Sequence, residues 1–206
     1  MSVRDFAVER AAAARLLDYP DAAFRQRLPL VAGAVSELDG SPARAGLEAA
    51  LGYIAAADPG RLESAYVDVF DLKRRRTLHL TYYADGDTRR RGPALARLKR
   101  VYAASGWACD GAELPDHLGV VLEFAARGDA AAGHRLLVEF RSAIELLRGA
   151  LHEHGTGYRH VLDAVAATLP PPDGAEVRRL AADGPPAEGV GVEPQVMLGM
   201  PTRVAS

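Results

Sequence analysis

Three histidines in the C-terminal half have the residue type that metal sites use. His152 and His154 are separated by one glutamate, and His160 follows. Residues two apart on a helix point to nearly opposite sides, so His152 and His154 cannot share a metal while the helix continues. Gly155 and Gly157 predict that the helix ends there, and cationic side chains are favoured near a helix C-terminus. We therefore interpret the histidines as helix-terminal residues and predict no metal site.

The sequence offers no catalytic centre that we recognise. It contains no Gly-x-Gly-x-x-Gly loop, no phosphate-binding Walker loop and no Gly-x-Ser-x-Gly elbow. The single cysteine, Cys109, lies beside Trp107 and Asp110 without a cationic neighbour that would stabilise a thiolate. We therefore interpret it as a packed or merely tolerated thiol and not as a nucleophile. We predict that the chain is not an enzyme and holds no stably bound cofactor.

The segment Glu113-Leu-Pro-Asp-His-Leu118 combines acidic residues with a histidine. The pattern from Leu114 to Arg127 predicts a helix, and its first turn would contain Pro115 and Asp116, which suit that position. His117 would border the apolar face of this helix. Two interpretations remain open: a capped helix start with a hydrogen-bonded histidine, or the polar rim of an apolar groove that binds a partner helix.

Basic residues are concentrated in one part of the chain. Positions 73–100 contain ten basic and two acidic residues, whereas the whole chain has 25 basic and 27 acidic residues. A solvated or internally paired surface, a nucleic-acid-binding surface and a docking face for an acidic partner or an anionic cofactor all remain open. No helix-turn-helix, zinc or RNA-binding signature accompanies the basic residues, which disfavours nucleic acid.

Composition describes an ordinary globular protein. The chain has 206 residues, of which 49% are hydrophobic and 25% charged. One cysteine excludes an internal disulfide, and no uncharged apolar run is long enough to span a bilayer. The first ten residues include acidic side chains and lack the apolar core of a signal peptide. We therefore expect a cytoplasmic protein without a transmembrane segment.

Helix signals dominate and strand signals are scarce. Asp21 and the pair Ser41-Pro42 predict helix starts, and Pro29 predicts a break or kink in the second helix. Apolar residues over 61–70 follow helical spacing. The stretch Thr77–Tyr83 is the only plausible strand, although it could equally form a short helix.

A long central helix is predicted to begin at Asp129. Its apolar stripe comprises Leu136, Phe140, Ile144, Leu147 and Leu151. A further helix, 158–169, would end at three consecutive prolines. We predict an all-α single domain of about eight helices over residues 1–183, followed by a flexible tail rich in proline and glycine over 184–206.

Five motifs, taken in their order along the chain, resemble those of a known protein family. They are Leu16-Leu-Asp-Tyr-Pro20, Tyr66-Val-Asp-Val-Phe-Asp-Leu-Lys-Arg-Arg-Arg76, Leu80-Thr-Tyr-Tyr83, Gly86-Asp-Thr-Arg-Arg-Arg-Gly92 and Leu114-Pro-Asp-His-Leu118 with Leu122-Glu-Phe124. In this order they resemble the nitrate reductase delta subunit, a NarJ-type molybdenum cofactor assembly chaperone. That group lies within the all-helical family of redox-enzyme maturation chaperones.

The resemblance implies a function without catalysis. Such a chaperone binds the N-terminal segment of the respiratory nitrate reductase alpha subunit and holds the apoenzyme for insertion of the molybdenum bis-pterin cofactor. It also implies contact with cofactor-delivery proteins. Two alternatives stay open: a chaperone of the same fold for another molybdenum oxidoreductase, and an arginine-rich nucleic-acid-binding or regulatory protein.

The resemblance also implies site residues. An aromatic Tyr-x-x-x-Phe helix and a Pro-x-Asp-His motif line the peptide groove in the wider family, and here Pro, Asp and His are adjacent, one residue tighter. The predicted peptide-binding residues, with their apolar and acidic neighbours, are Tyr66, Asp68, Val69, Phe70, Asp71, Pro115, Asp116, His117, Val121 and Glu123. The predicted partner-docking residues of the basic edge are Arg74, Arg75, Arg76, Arg89, Arg90 and Arg91.

Two mutational expectations follow from this assignment. If Asp68 and Asp116 lie at helix surfaces, Asp68→Arg or Asp116→Arg weakens peptide binding without unfolding the chain. If His117 lies near a carboxylate, its protonation makes peptide affinity depend on pH.

Overall fold

The computed structural model describes residues 3–108, 111 and 113–184. Within these residues the chain forms helices and no strand, which confirms the predicted all-α fold. The α-helices are α1 (Val3–Leu16), α2 (Ala22–Ser36), α3 (Pro42–Ala56), α4 (Pro59–Tyr66), α5 (Tyr82–Asp85), α6 (Arg91–Ala104), α7 (Leu118–Arg127), α8 (Ala130–Glu139), α9 (Arg141–His154), α10 (Arg159–Ala167) and α11 (Gly174–Asp183). None of these helices is long and apolar enough to cross a membrane.

Two short helical turns complete the description of the chain. A π-helical turn, Val67–Asp71, continues α4, and a 3-10 turn covers Arg74–Arg76. Cys109 and Asp110 lie outside the described residues. The same holds for residues 185–206 of the predicted flexible tail, so only its first residue, Gly184, is described.

Side-chain caps begin several helices where the sequence predicts them. A carboxylate oxygen of Asp21 accepts a hydrogen bond from the Phe24 amide at 2.7 Å, and the Ser41 hydroxyl accepts one from the Arg44 amide at 3.0 Å. These bonds satisfy amide groups that lack a partner within the helix. Helix α2 continues through Pro29, so the predicted break at this residue does not occur.

One hydrophobic core joins the helices. Helix α1 packs against α2, α3, α7 and α10, while α10 also packs against α3 and α9. Leu16, Leu47, Leu122 and Val161, one from each of α1, α3, α7 and α10, are fully buried. Burial of such side chains is the main source of folding free energy, so this central layer fixes where the ends of α1 and α7 lie.

The helix predicted to begin at Asp129 does begin there, but the prediction that it is a single long helix is wrong. The chain forms two helices, α8 and α9, because Phe140 leaves the helical conformation with φ −86° and ψ 11°. The change of direction lets α8 pack against α7 while α9 packs against α10 and α11. One straight helix could not contact α7 and also α10 and α11. Tertiary packing therefore divides the helix, although the apolar stripe in the sequence is continuous.

Over its whole length, the stretch Thr77–Tyr83 forms neither the strand nor the short helix that the sequence suggests. It makes one antiparallel bridge, between His79 and His117, and then enters the short helix α5. The Leu80 amide donates to the Asp116 carbonyl at 3.0 Å, and the Leu118 amide donates to the Leu78 carbonyl at 2.8 Å. The facing segment is too short to extend this pairing, so a strand does not develop.

Helix α7 begins at Leu118, four residues later than predicted. The carbonyl groups of Pro115 and Asp116 have partners outside the helix: the Tyr102 hydroxyl donates to Pro115 at 2.6 Å, and the Leu80 amide donates to Asp116. These residues therefore precede the first helical turn. The prediction that Pro115 and Asp116 belong to that turn is wrong.

Asp116 is fully buried and accepts hydrogen bonds from three side chains. Thr81 Oγ1 donates at 2.6 Å, His79 Nδ1 at 3.2 Å and Arg91 Nη2 at 3.2 Å. Burial alone would raise the pKa of Asp116, but the hydrogen bonds from His79 and Thr81 and the charge of Arg91 lower it to about 2. The expectation that Asp116 lies at a helix surface is therefore wrong.

His117 caps α7. Its Nδ1 accepts a hydrogen bond from the Gly119 amide at 3.2 Å, so the ring proton of the neutral imidazole lies on Nε2. Burial lowers the pKa of His117 to about 4; nearby His79 acts in the same direction and Asp116 opposes it. The predicted nearby carboxylate is Asp116, but the imidazole is neutral near pH 7, so its protonation would affect peptide affinity only near pH 4.

Two glycines provide a matched test of the packing between α7 and α8. A Cβ at Gly133 would overlap the backbone of Ala125, whereas a Cβ at Gly149 would meet no atom within 4 Å. We expect Gly133→Ala to lower the free energy of unfolding by about 2 kcal/mol through overpacking. Gly149→Ala should raise it by up to about 1 kcal/mol through helix propensity. Urea denaturation measures both, and equal effects would contradict the described packing.

Removing the charge of Asp116 should destabilise the protein, because Arg91 and His79 would lose their buried carboxylate and only the half-exposed Asp87, 3.7 Å away, would still pair with Arg91. We expect Asp116→Asn to lower the free energy of unfolding by about 3 kcal/mol, and Asp116→Arg to prevent folding. Asp68→Asn is the matched control, since the Asp68 side chain is 55% exposed, and should change stability by less than about 0.5 kcal/mol. Similar losses in urea denaturation for both asparagine variants would refute the buried network.

The lowered pKa of His117 makes stability depend on pH. As pH falls from 6.5 towards 4, the unfolded chain binds a proton at this histidine before the folded chain does. The free energy of unfolding should therefore fall by up to about 3 kcal/mol across this range. His117→Asn preserves a capping acceptor without a titrating group, so its melting temperature should fall less between these pH values. Parallel melting curves for the two proteins would contradict the assignment.

Candidate functional site

A cleft of about 630 Å³ opens where distant segments of the chain meet. Its walls come from the end of α1 with the following residues 17–19, from α4 and the π-helical turn, from residues 77–79, and from the start of α7. The packing of α1 against α7 and the bridge between His79 and His117 hold these segments together. The cleft is therefore a product of the central core.

Half of the predicted peptide-binding residues line this cleft. They are Tyr66, Phe70, Asp71, His117 and Glu123. The two motifs that supplied them are separated by more than forty positions in the sequence, yet both line one cavity. Tyr66, Phe70 and His117 thus lie at a common site, as the groove interpretation requires.

The other predicted residues do not line the cleft. Val69, Val121, Pro115 and Asp116 are buried in the protein interior. Asp68 is exposed, and the Nε2 atom of His154 lies 3.1 Å from its carboxylate. A direct contact between a bound peptide and the four buried residues would require the chain to open.

Aromatic rings form the floor of the cleft. The ring centroid of Tyr66 lies 4.8 Å from that of Phe70 and 5.4 Å from that of Tyr19, and Tyr158 packs edge-on behind both Tyr66 and Phe70. The Tyr66 hydroxyl donates to the Leu17 carbonyl at 2.9 Å. Burial raises the pKa of Tyr66, and the nearby carboxylates raise it further, so its hydroxyl stays protonated.

The π-helical turn sets the position of Phe70 and Asp71. Its wider spacing is completed by a hydrogen bond from the Leu72 amide to the Val67 carbonyl at 3.1 Å. The guanidinium of Arg76 donates to the carbonyl oxygens of Asp68 and Val69, both at 2.8 Å. Such turns leave carbonyl groups without partners within the helix, and Arg76 supplies those partners.

Carboxylates dominate the charge of the cleft. Four acidic residues and one arginine line it; the acidic residues are Asp18, Asp71, Glu113 and Glu123. Arg15 forms ion pairs with Asp18 and Glu123, whereas Asp71 and Glu113 have no ion-pair partner among the described residues. Burial raises the pKa of Asp18, and this effect is opposed by Arg15 and Arg27. The cleft therefore carries net negative charge.

Apolar side chains are exposed beside the acidic residues. Tyr19 is 45% exposed in the cleft wall. Leu72 and Leu114, which follow the lining residues Asp71 and Glu113 in the sequence, are 64% and 42% exposed. Large exposed apolar side chains that adjoin a cleft are typical of surfaces that bind a partner. We call these apolar side chains, together with Asp71 and Glu113, the rim of the cleft. The rim can contact both apolar and cationic groups of one ligand.

The sequence interpretation missed part of the wall. Residues 17–19 and 77–79 line the cleft, but neither segment was among the predicted site residues. The motif Leu16-Leu-Asp-Tyr-Pro20 was the available signal for the first segment, since it belongs to the resemblance. No chemical pattern in residues 77–79 could have placed them there, because their position depends on the bridge to His117.

The three histidines noted in the sequence lie apart from the cleft. Helix α9 ends at His154, and Gly155 follows with φ 78°, as predicted. His152 and His154 lie within hydrogen-bond distance of Asp163 and Asp68, at 2.8 Å and 3.1 Å. Within the described part of the chain, no group of three or more metal-ligating side chains could hold an ion.

The predicted basic edge is divided between structural and exposed residues. Arg76 and Arg91 are partly buried and hold the π-helical turn and Asp116 respectively, so they are not simple docking side chains. The side chains of Arg74 and Arg75 are 78% and 77% exposed, and Arg89 and Arg90 are also exposed. The exposed four remain candidates for docking.

Comparison with solved structures gives the fold. A putative redox enzyme maturation protein from Archaeoglobus fulgidus matches with a TM-score of 0.59 at 20% identity, covering 78% of this chain and 91% of the other. At this identity the match describes architecture, and it agrees with the predicted redox-enzyme maturation fold.

Comparison of sequences gives the family. The nitrate reductase-like protein NarX of Mycobacterium tuberculosis is 40% identical over 153 residues; these cover 74% of this chain but only 23% of NarX. The probable nitrate reductase molybdenum cofactor assembly chaperone NarJ of Bacillus subtilis is 30% identical, covering 82% of this chain and 92% of the relative. NarJ of Escherichia coli is 28% identical, covering 76% and 67%.

A family model agrees with these relatives. The model of the nitrate reductase delta subunit matches residues 37–163, which include the π-helical turn, the basic segment and all of α7. The chain therefore belongs to the nitrate reductase delta subunit family.

Proposed function

We propose that this protein is a chaperone for nitrate reductase that acts in the cytoplasm. It binds the N-terminal segment of the catalytic alpha subunit and holds the apoenzyme ready for insertion of the molybdenum cofactor. The observation that carries this proposal is the cleft, in which an aromatic floor, an acidic wall and an exposed apolar rim meet. Family membership supports the choice of nitrate reductase as the partner.

The cleft suits a short amphipathic segment. Apolar side chains of the partner would contact Tyr19, Leu72 and the edges of the aromatic floor, while its arginines or lysines would reach Asp71 and Glu113. A segment that folds on binding loses roughly 2–5 kcal/mol to ordering. This loss leaves a moderate affinity, which suits a chaperone that must release its client.

The side chains of the cleft support holding a client without transforming it. Of the two imidazoles, His117 uses Nδ1 to cap α7, and His79 uses Nδ1 to bind Asp116. Both imidazoles therefore serve the structure of the cleft wall. Relatives that are named as cofactor assembly chaperones support the assignment of the protein as a non-enzyme.

The charge of the cleft also bears on the molybdenum cofactor. A pterin cofactor carries phosphate groups, and a wall of carboxylates repels phosphate at short range. The residues of the cleft therefore do not fit this cofactor, and we propose that the partner enzyme holds it from the moment of insertion. The chaperone's role is to keep the receiving site accessible, with cofactor-delivery proteins contacting other surfaces.

Peptide titration with charge-reversal variants tests the proposal. We expect a synthetic peptide that copies the N-terminus of the alpha subunit from the same genome to bind with measurable heat in calorimetry. Asp71→Lys combined with Glu113→Lys should weaken binding about tenfold, because two attractive rim contacts become repulsive. Glu37→Lys combined with Asp39→Lys, on the surface away from the cleft, is the matched control and should leave the affinity within about twofold.

Three outcomes would count against the proposal. Affinity no tighter than millimolar would reject the leader as the ligand. Equal losses in the two double variants would reject the cleft as the site. Co-purification of a different molybdenum oxidoreductase, without nitrate reductase, would indicate the alternative chaperone role.

A further inference from the structure

Three cavities of the chain share lining residues in series. The cleft described above shares Thr77 and His79 with a second cavity of about 190 Å³. The second cavity shares Arg74 with a third cavity of about 490 Å³. The shared residues place the three cavities side by side, and we call this series, from the acidic cleft to the basic segment, the path.

The third cavity has the opposite charge to the cleft. The consecutive basic residues Lys73–Arg76 line it, together with Ala150, Glu153 and His154 from α9. Four basic side chains therefore face one carboxylate. Glu153 forms an ion pair with Arg75 at 3.3 Å, but both side chains are largely exposed. An exposed pair of this kind contributes little free energy and can exchange for another carboxylate.

Lys73 is the clearest open cation of the third cavity. No carboxylate among the described residues forms an ion pair with it, and its side chain is exposed. Arg74 contacts Asp87 at 3.0 Å, again with both side chains half-exposed or more. The basic path is therefore incompletely neutralised by the chain itself.

The π-helical turn is connected to both ends of the path. Phe70 and Asp71 belong to the cleft, while Asp68 in the same turn contacts His154 of the third cavity. Arg76, which lines the third cavity, donates to two carbonyl groups of this turn. Because both cavities are connected to the same turn, the distance between them along the surface is fixed.

We propose that this path binds one continuous polypeptide segment whose charge changes sign along its length. An apolar, cationic stretch occupies the acidic cleft, and an adjoining acidic stretch lies against Lys73, Arg74 and Arg75. The inference rests on the proposed function, because the client's N-terminal segment is the occupant of the cleft. The order of charges then sets the direction in which the segment lies.

Opposite charges at the two ends favour a polypeptide over a polyanion. Nucleic acid carries negative charge at every residue, so a strand bound to the basic end would be repelled by the carboxylates of the cleft. A peptide can match both ends because its charges vary along the sequence. Electrostatic matching of this kind governs specificity and orientation more than total affinity.

Extended client peptides test the order of charges. The probes are the N-terminal alpha-subunit peptide alone, and the same peptide lengthened at either end by a short run of glutamates or by an equal run of glutamines. We expect one of the two glutamate peptides to bind about fivefold tighter than its glutamine counterpart. The gain should disappear in the Lys73→Gln/Arg75→Gln variant and survive in the matched Lys99→Gln/Arg100→Gln variant.

The outcomes separate this inference from the proposed function. Failure of the unextended peptide to bind overturns both. If it binds but the glutamate and glutamine peptides have equal affinity at both ends, only the charge-order inference is overturned. A gain that persists in Lys73→Gln/Arg75→Gln also overturns it, because the acidic stretch would then lie elsewhere. Fluorescence anisotropy at low and high salt measures all of these affinities.

Discussion

The buried carboxylate of Asp116 is the interaction on which the cleft depends. It connects Thr81 and His79, from the segment before α5, with Arg91 at the start of α6, and its own backbone pairs with Leu80. These bonds hold residues 77–81 against the start of α7. His79 and His117 therefore face each other across the bridge and complete one wall of the cleft. A charge that the sequence suggests for ligand binding instead organises the site, because its burial requires every partner to be in place.

Local signals in the sequence were sufficient to predict the helical fold. Caps such as Asp21 and Ser41 and the glycine after His154 depend on neighbouring residues, so their positions could be predicted. The break at Phe140 could not, because the apolar stripe continues through it and only packing against different helices divides it. The burial of Asp116 depends on residues 25 and 35 positions earlier in the chain. Spacing within a motif carries no information about such contacts.

The candidate site likewise combines residues that the sequence could predict with residues whose position depends on tertiary contacts. The aromatic pair Tyr66 and Phe70 lies one turn apart, so helical spacing together with the family resemblance placed both on the cleft. Residues 17–19 reach it only because α1 packs against α7. The basic segment was visible from composition, but composition could not reveal that Arg76 and Arg91 are structural while Arg74 and Arg75 are exposed. The resulting surface combines an acidic, apolar cleft with a basic path beside it. This combination suits a protein that holds a client by several weak contacts.

Hydrogen–deuterium exchange with and without the alpha-subunit peptide tests the central claim most directly, because it locates the bound ligand without altering the protein. The account predicts slower exchange at the segments that form the cleft wall, 66–72 and 117–120, and at the neighbouring turn after α1. Helix α11 and the exposed face of α2 should exchange at unchanged rates. Protection confined to those distant helices, with the cleft segments unaffected, would contradict the assignment of the cleft as the client-binding site.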